Sequence, residues 1–149
     1  MKAKFPRTVI INLMDILIID DFFTASAIKK SIEKLVHSIE TANSAEDALL
    51  KVRDNKFDLV LLNISLKAFD GCELIHQVKS ICPDIKIVTM TDRNYRDLEL
   101  KVRKQGVLFY MITPFNKKVL KDIVDYISKS KEKLQKERLQ KFHHELARL

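Results

Sequence analysis

The chain has 149 residues, 46% of them hydrophobic, enough for one domain with a real core plus an appendage, and too apolar for disorder throughout. No apolar run approaches the ~18 residues that a membrane span needs, and "TVIINLM" (Thr8 to Met14) is too short for a signal-peptide core, so a cytoplasmic protein without a membrane partner is expected. The net charge of +7 is uneven: from Ser128 onward seven Lys or Arg stand against three Glu, so the tail carries +4 and the preceding 127 residues only +3.

Apolar and amphipathic runs alternate along the chain. "ILII" (Ile16 to Ile19) reads as a buried strand. "SAIKKSIEKLV" follows as a helix, with Ile28, Ile32 and Leu35 or Val36 on one face. "SIETA" is a short second strand, and "SAEDALLKVRDN" a helix capped by Ser44 with Asp47 three residues on. "DLVLL" (Asp58 to Leu62) is a third strand, and "CELIHQVKSI" a helix stopped before Pro83. "IKIVTM" is the fourth strand, "YRDLELKVRKQ" a helix ended by Gly106 at its C-cap, and "VLFYMI" the fifth strand. Pro114 is expected to open the last helix, which meets no Gly or Pro before Leu149. Cys72 and Cys82 lack metal-ligand spacing and read as free thiols.

Strand and helix thus alternate five times. Strands apolar on both faces belong to a parallel sheet covered on both sides, a doubly wound α/β fold with ligands at the C-terminal strand ends. The residues at those ends are Asp20 and Asp21, Asn63, Thr91 and Asp92, and Thr113. Adjacent carboxylates repel unless a cation sits between them, and such a pair suits Mg²⁺, which takes few carboxylates and several waters.

Four blocks, "DILIIDDFFTASAIKKSIEKL", "FDLVLLNISLKAFDG", "IKIVTMTD" and "GVLFYMITPF", together resemble the CheY-like receiver domain of bacterial response regulators, over residues 15 to about 128. The resemblance implies a flavodoxin-like sheet of order 2-1-3-4-5, divided here into an N-terminal extension (1–14), a receiver-like domain (15–128) and a basic helical extension (129–149). It also implies a phosphorylation switch, in which an acidic pair and an Asp hold Mg²⁺ and that Asp takes a phosphoryl group from a histidine kinase. Asp20 and Asp21 match the acidic pair, Thr91 the hydroxyl that grips the phosphoryl group, Tyr110 the reporting aromatic, and Pro114 a proline whose preceding bond is usually cis. Two positions depart: Asn63 stands where the phosphoacceptor Asp belongs, and Thr113 where a Lys belongs.

An amide is a poor nucleophile, and Thr113 brings no positive charge to a phosphoryl transfer. The expectation is a non-enzymatic pseudo-receiver that signals by protein contact, with weak cation binding at Asp20 and Asp21 at most. Asp92 could add to the negative charge of the site, or Lys67 could counter it. Partners implied by the resemblance are a histidine kinase, an output domain or another regulator, docking on the Asp92–Ser128 face. The alternative is a phosphorylatable regulator using Ser65 or Asp70, or a receiver attached to a kinase or a DNA-binding partner. Leu139, Phe142, Leu146 and Leu149 follow a 3-4-3 spacing, offset from Leu134 by a stutter, which fits a short coiled coil and a homodimer as well as a solvated helix. Seven cations in the tail raise nucleic-acid binding, but no reading element accompanies them. In "FHHELARL", His144-Glu145-Leu146 is faintly similar to the phosphoacceptor helix of histidine kinases, yet His143 and His144 read as two surface histidines on a helix.

Overall fold

The structure is a computed structural model and describes residues 14–149 except Asn94; the N-terminal extension expected over 1–14 lies outside it apart from Met14. Five strands form one parallel sheet: β1 (Asp15–Ile19), β2 (Ser38–Ala42), β3 (Leu59–Asn63), β4 (Lys86–Thr91) and β5 (Phe109–Ile112), in the order β2-β1-β3-β4-β5. Between and after them run α1 (Phe22–Ile32), α2 (Ala45–Asp54), α3 (Gly71–Ile81), α4 (Arg96–Arg103) and α5 (Lys117–Ala147).

Alternation along the strands divides the core into two layers. Ile16, Ile18, Leu59, Leu61, Val88 and Met90 point to the side where α1 and α5 contribute Ile28, Ile32, Leu120 and Val124. Leu17, Ile19, Val60, Leu62 and Ile87 point to the side of α2, α3 and α4, against Val52, Leu74, Ile75 and Val102. Both faces of β1 and β3 are therefore buried, which is why their sequences read as unbroken apolar runs. Each such side chain stabilises the fold by about 1.5–3 kcal/mol relative to exposure.

Capping chemistry sets the helix starts, and three boundaries differ from the sequence expectation. Ser44 does cap α2, accepting from the Asp47 N–H at 3.1 Å. α1 begins four residues before "SAIKK", because the Asp21 carboxylate accepts from the Thr24 N–H at 2.9 Å; beyond Ile32 it tightens into a 3-10 turn, leaving the buried Val36 extended. α4 ends at Arg103, and Gly106 lies in the turn that follows, at φ +78°, donating to the Arg103 carbonyl at 3.0 Å. Pro114 does not open α5. The Thr113–Pro114 bond is cis, and Asn116 caps the helix by accepting from the Lys118 N–H at 2.9 Å. Gly71, the first residue of α3, passes so close to Ile64 that a Cβ would sit 2.7 Å from its Cα.

α5 crosses the sheet and continues past it. Lys131 is held at 3.0 Å by both oxygens of Asp58, and Asp58 also accepts from the Asp15 N–H at 2.8 Å, which ties the helix to the N-terminal end of the sheet. Farther on, Leu134, Leu139, Phe142 and Leu146 are all about half exposed. Cys72 and Cys82 are free thiols. Among the described residues no helix is long and apolar enough to cross a membrane.

Candidate functional site

The parallel register delivers the strand ends to one edge. Ile19 pairs with Leu62, Asn63 with Met90, and Thr91 with Ile112. The side chains singled out in the sequence therefore gather there, and the Thr113 N–H donates to the Thr91 carbonyl at 2.8 Å.

The two acids of the expected pair diverge. Asp20 is buried, 2% exposed, and its Oδ1 accepts from the Asp21 N–H at 2.7 Å and from Asn63 Nδ2 at 3.0 Å. Burial lifts its carboxyl from 3.8 to about 6, against the downward pull of those two hydrogen bonds. Asp21 is exposed and turned onto α1, accepting from the Thr24 N–H and, at 2.8 Å, from the Thr24 hydroxyl. Those bonds hold its carboxyl below the usual value. The two carboxylates still feel each other, the charge of Asp21 adding to the upward shift of Asp20 behind the larger effect of burial.

Asn63 uses both ends of its amide. While Nδ2 donates to Asp20, Oδ1 accepts from the Ser65 N–H at 2.8 Å. The Ser65 hydroxyl then meets the buried Thr91 hydroxyl at 2.5 Å and accepts from the Asp92 N–H at 3.2 Å. Thr91 Oγ1 accepts from the Arg93 N–H at 3.0 Å, and the Tyr110 hydroxyl donates to the Arg93 carbonyl at 3.3 Å. Hydrogen bonds thus run unbroken from Asp20 through Asn63, Ser65 and Thr91 to Arg93 and Tyr110. Tyr110 is half-buried against the α3–α4 layer, with the Arg103 guanidinium 5.7 Å from its ring centre, and burial raises its phenol pKa.

Ser65, named only as an alternative acceptor, lies two residues past the end of β3, and its hydroxyl reaches back to Thr91. Asp70, the other alternative acceptor, caps α3 through the Cys72 and Glu73 N–H groups. Asp92 contributes its backbone N–H, and neither it nor Lys67 forms an ion pair among the described residues. Arg93 was missed because its part is played by backbone atoms, which leave no trace in side-chain pattern.

A hard cation could draw on Asp20, Asp21 and the Asn63 amide oxygen, a donor set of the right kind. As placed, Asp21 is committed to the α1 cap and Asn63 turns its N–H toward Asp20, so holding a cation means giving up those bonds. No cluster of three or more His, Cys, Asp or Glu suited to a metal occurs among the described residues.

A five-stranded parallel sheet in this order, with carboxylate, amide and hydroxyl at its C-terminal edge, defines a CheY-like flavodoxin fold. The response regulator receiver domain profile matches residues 16–129, and the chain belongs to that family. It is similar to the transcriptional regulatory protein ZraR of Klebsiella oxytoca, 33% identical over 104 residues, covering 69% of this chain and 24% of that protein. The chain therefore spans about a quarter of the length of the ZraR proteins it matches. A two-component response regulator from Clostridium difficile superposes with a TM-score of 0.71 at 34% identity, over 76% of this chain and 94% of the other. A chimera carrying a trimeric coiled-coil segment of yeast Spc42 matches 93% of this chain and 95% of its own, with a TM-score of 0.74 at 25% identity.

Proposed function

We propose that this receiver works as a two-component signalling module by protein contact, without aspartyl phosphate. The observation that carries the reading is the Asn63 amide, whose oxygen and nitrogen are both engaged at the strand end where an attacking carboxylate would stand. The hydroxyls that would meet an incoming phosphoryl group, on Ser65 and Thr91, bond to each other. Thr113 offers no cation. The alternative acceptors are occupied as well, Ser65 in that hydroxyl pair and Asp70 as a helix cap. Incubation with Mg²⁺ and acetyl phosphate should leave the intact mass unchanged, while Asn63→Asp combined with Thr113→Lys should gain one phosphate. A phosphate on the unmodified chain would overturn the reading.

Contact is assigned to the Asp92–Ser128 face. β5 is an edge strand, and Phe109 and Ile112 on it, with Tyr126 of α5, are exposed, the Phe109 and Tyr126 rings meeting edge to face at 6.2 Å. A kinase, an output domain or another regulator is the partner class this face serves. The α5 extension is assigned to self-association, since Leu139, Phe142 and Leu146 form a stripe that an isolated helix leaves wet, with exposed Leu149 just past the helix end. The likeness to a chimera whose coiled-coil segment is trimeric, over 93% of the chain and most of α5, supports coiled-coil association without setting the number of strands. Sedimentation should give a dimer that Leu139→Ser with Leu146→Ser returns to monomer.

A further inference from the structure

A groove of about 550 Å³ lies between α1 and α5, on the side of the sheet away from α3 and α4. It is lined by Ala27, Lys30, Ser31, Lys34, Leu35, Lys117 and Lys121. Four of its seven lining residues are lysines and none is an acid. All four lysines are exposed, and none forms an ion pair among the described residues.

Like charges gathered on one groove repel, so the arrangement costs free energy in the free protein. Lys30 has a local reason to be there, because it stands in the last turn of α1, where the helix dipole favours a cation. Lys117 has the opposite position. It opens α5, whose first turn contains Lys117 and Lys118 and no acid, so the dipole and the side chains have the same sign. Asn116 caps that helix end through the Lys118 N–H, but no acid stands in the first turn and no ion pair offsets Lys117 among the described residues. Such uncompensated charge is a mark of a contact made with something else.

We propose that this groove docks an acidic amphipathic helix of a partner protein. Ala27 and Leu35 give the groove an apolar floor for one face of such a helix, and the lysines on both walls match carboxylates flanking that face. Nucleic acid fits less well, since the lining has no aromatic to stack a base and no arginine to grip a phosphate in two-pronged fashion. The site is separate from Asn63 and from the β5 edge, so it stands or falls independently of the phosphate-free reading.

The test uses the full chain and a synthetic helical peptide with Leu on one face and Glu on its flanks, labelled for fluorescence anisotropy, beside a twin with Lys in place of Glu. The acidic peptide should bind, at least tenfold tighter than its twin, and weaken at least tenfold from 50 to 300 mM salt by roughly the screening of several charges. Lys117→Glu with Lys30→Glu should lower binding at least tenfold, whereas Lys136→Glu with Lys141→Glu in the α5 extension should change it less than twofold. A structural role predicts that losing Lys117 harms the fold; here Lys117→Glu alone should raise the melting temperature by roughly one to three degrees while weakening the peptide. Equal loss from the extension variant would make the attraction non-specific and overturn the proposal. So would a 20-nucleotide DNA that displaces the peptide at equal charge concentration, or a Lys117→Glu chain that is less stable.

Discussion

Asp20 gives the sharpest test of the site's electrostatics. Its carboxyl is raised from 3.8 to about 6, so the folded protein holds this proton more tightly than the unfolded chain does. A raised acid destabilises the fold once ionised, and the loss grows as pH climbs from about 4 through 6. A difference of this size corresponds to about 3 kcal/mol when fully developed. Asp20→Asn removes the buried charge yet keeps an oxygen that can accept from the Asp21 and Asn63 N–H groups. The variant should therefore be more stable than the parent by about 3 kcal/mol at pH 7.5, falling to roughly half that at pH 5. Urea unfolding of both proteins at the two pH values gives the comparison, and taking their difference cancels the histidines and the other acids. A variant no more stable at pH 7.5, or an advantage that does not shrink at pH 5, would refute the assignment of burial as the dominant influence on Asp20.

Three further outcomes follow from the geometry. Gly71→Ala should lose about 1–3 kcal/mol, read as a lowered urea midpoint, because its Cβ would press on Ile64 at 2.7 Å. Mg²⁺ followed by tyrosine fluorescence should titrate weakly, since binding gives up the Asp21 cap at about 1 kcal/mol; Asp21→Asn should abolish the response, and an unchanged curve would place the cation elsewhere. Thr24→Ala should strengthen Mg²⁺ binding by freeing Asp21 of its hydroxyl partner, and weaker binding would show the cap to be irrelevant.

The order of elements was legible because β1 and β3 are buried on both faces, so their apolar runs had no competing reading. Ser44 was equally plain, a capping residue directly before an amphipathic run. Asp21 was not, since its cap comes from a residue also eligible for the acid site, and only the folded backbone decides which role its carboxylate takes. That one choice moved the start of α1 by four residues and gave the two acids different roles. Pro114 misled in another way: proline suits a helix start, but the cis bond turns the chain first and Asn116 does the capping. At the site, sequence named Asp20, Asn63, Thr91, Tyr110 and Thr113, yet the links between them through the Ser65 hydroxyl and the Arg93 backbone depend on loop conformation, which has no periodicity to read.

The Lys131–Asp58 clamp has a consequence for how many partners one chain can hold. From that point α5 extends about 24 Å to Ala147 at a rise of 1.5 Å per residue. The clamp is at the N-terminal end of the sheet, opposite the edge that gathers Asn63 and Thr91, so whatever grips the far end of α5 leaves that edge uncovered. A molecule held there is tethered by a helix and not by a slack linker, and it samples a small volume around the domain. Weak contacts elsewhere on the domain then act at high effective concentration, and avidity can exceed either affinity alone by 10²–10⁴ on the order of magnitude known for linked sites.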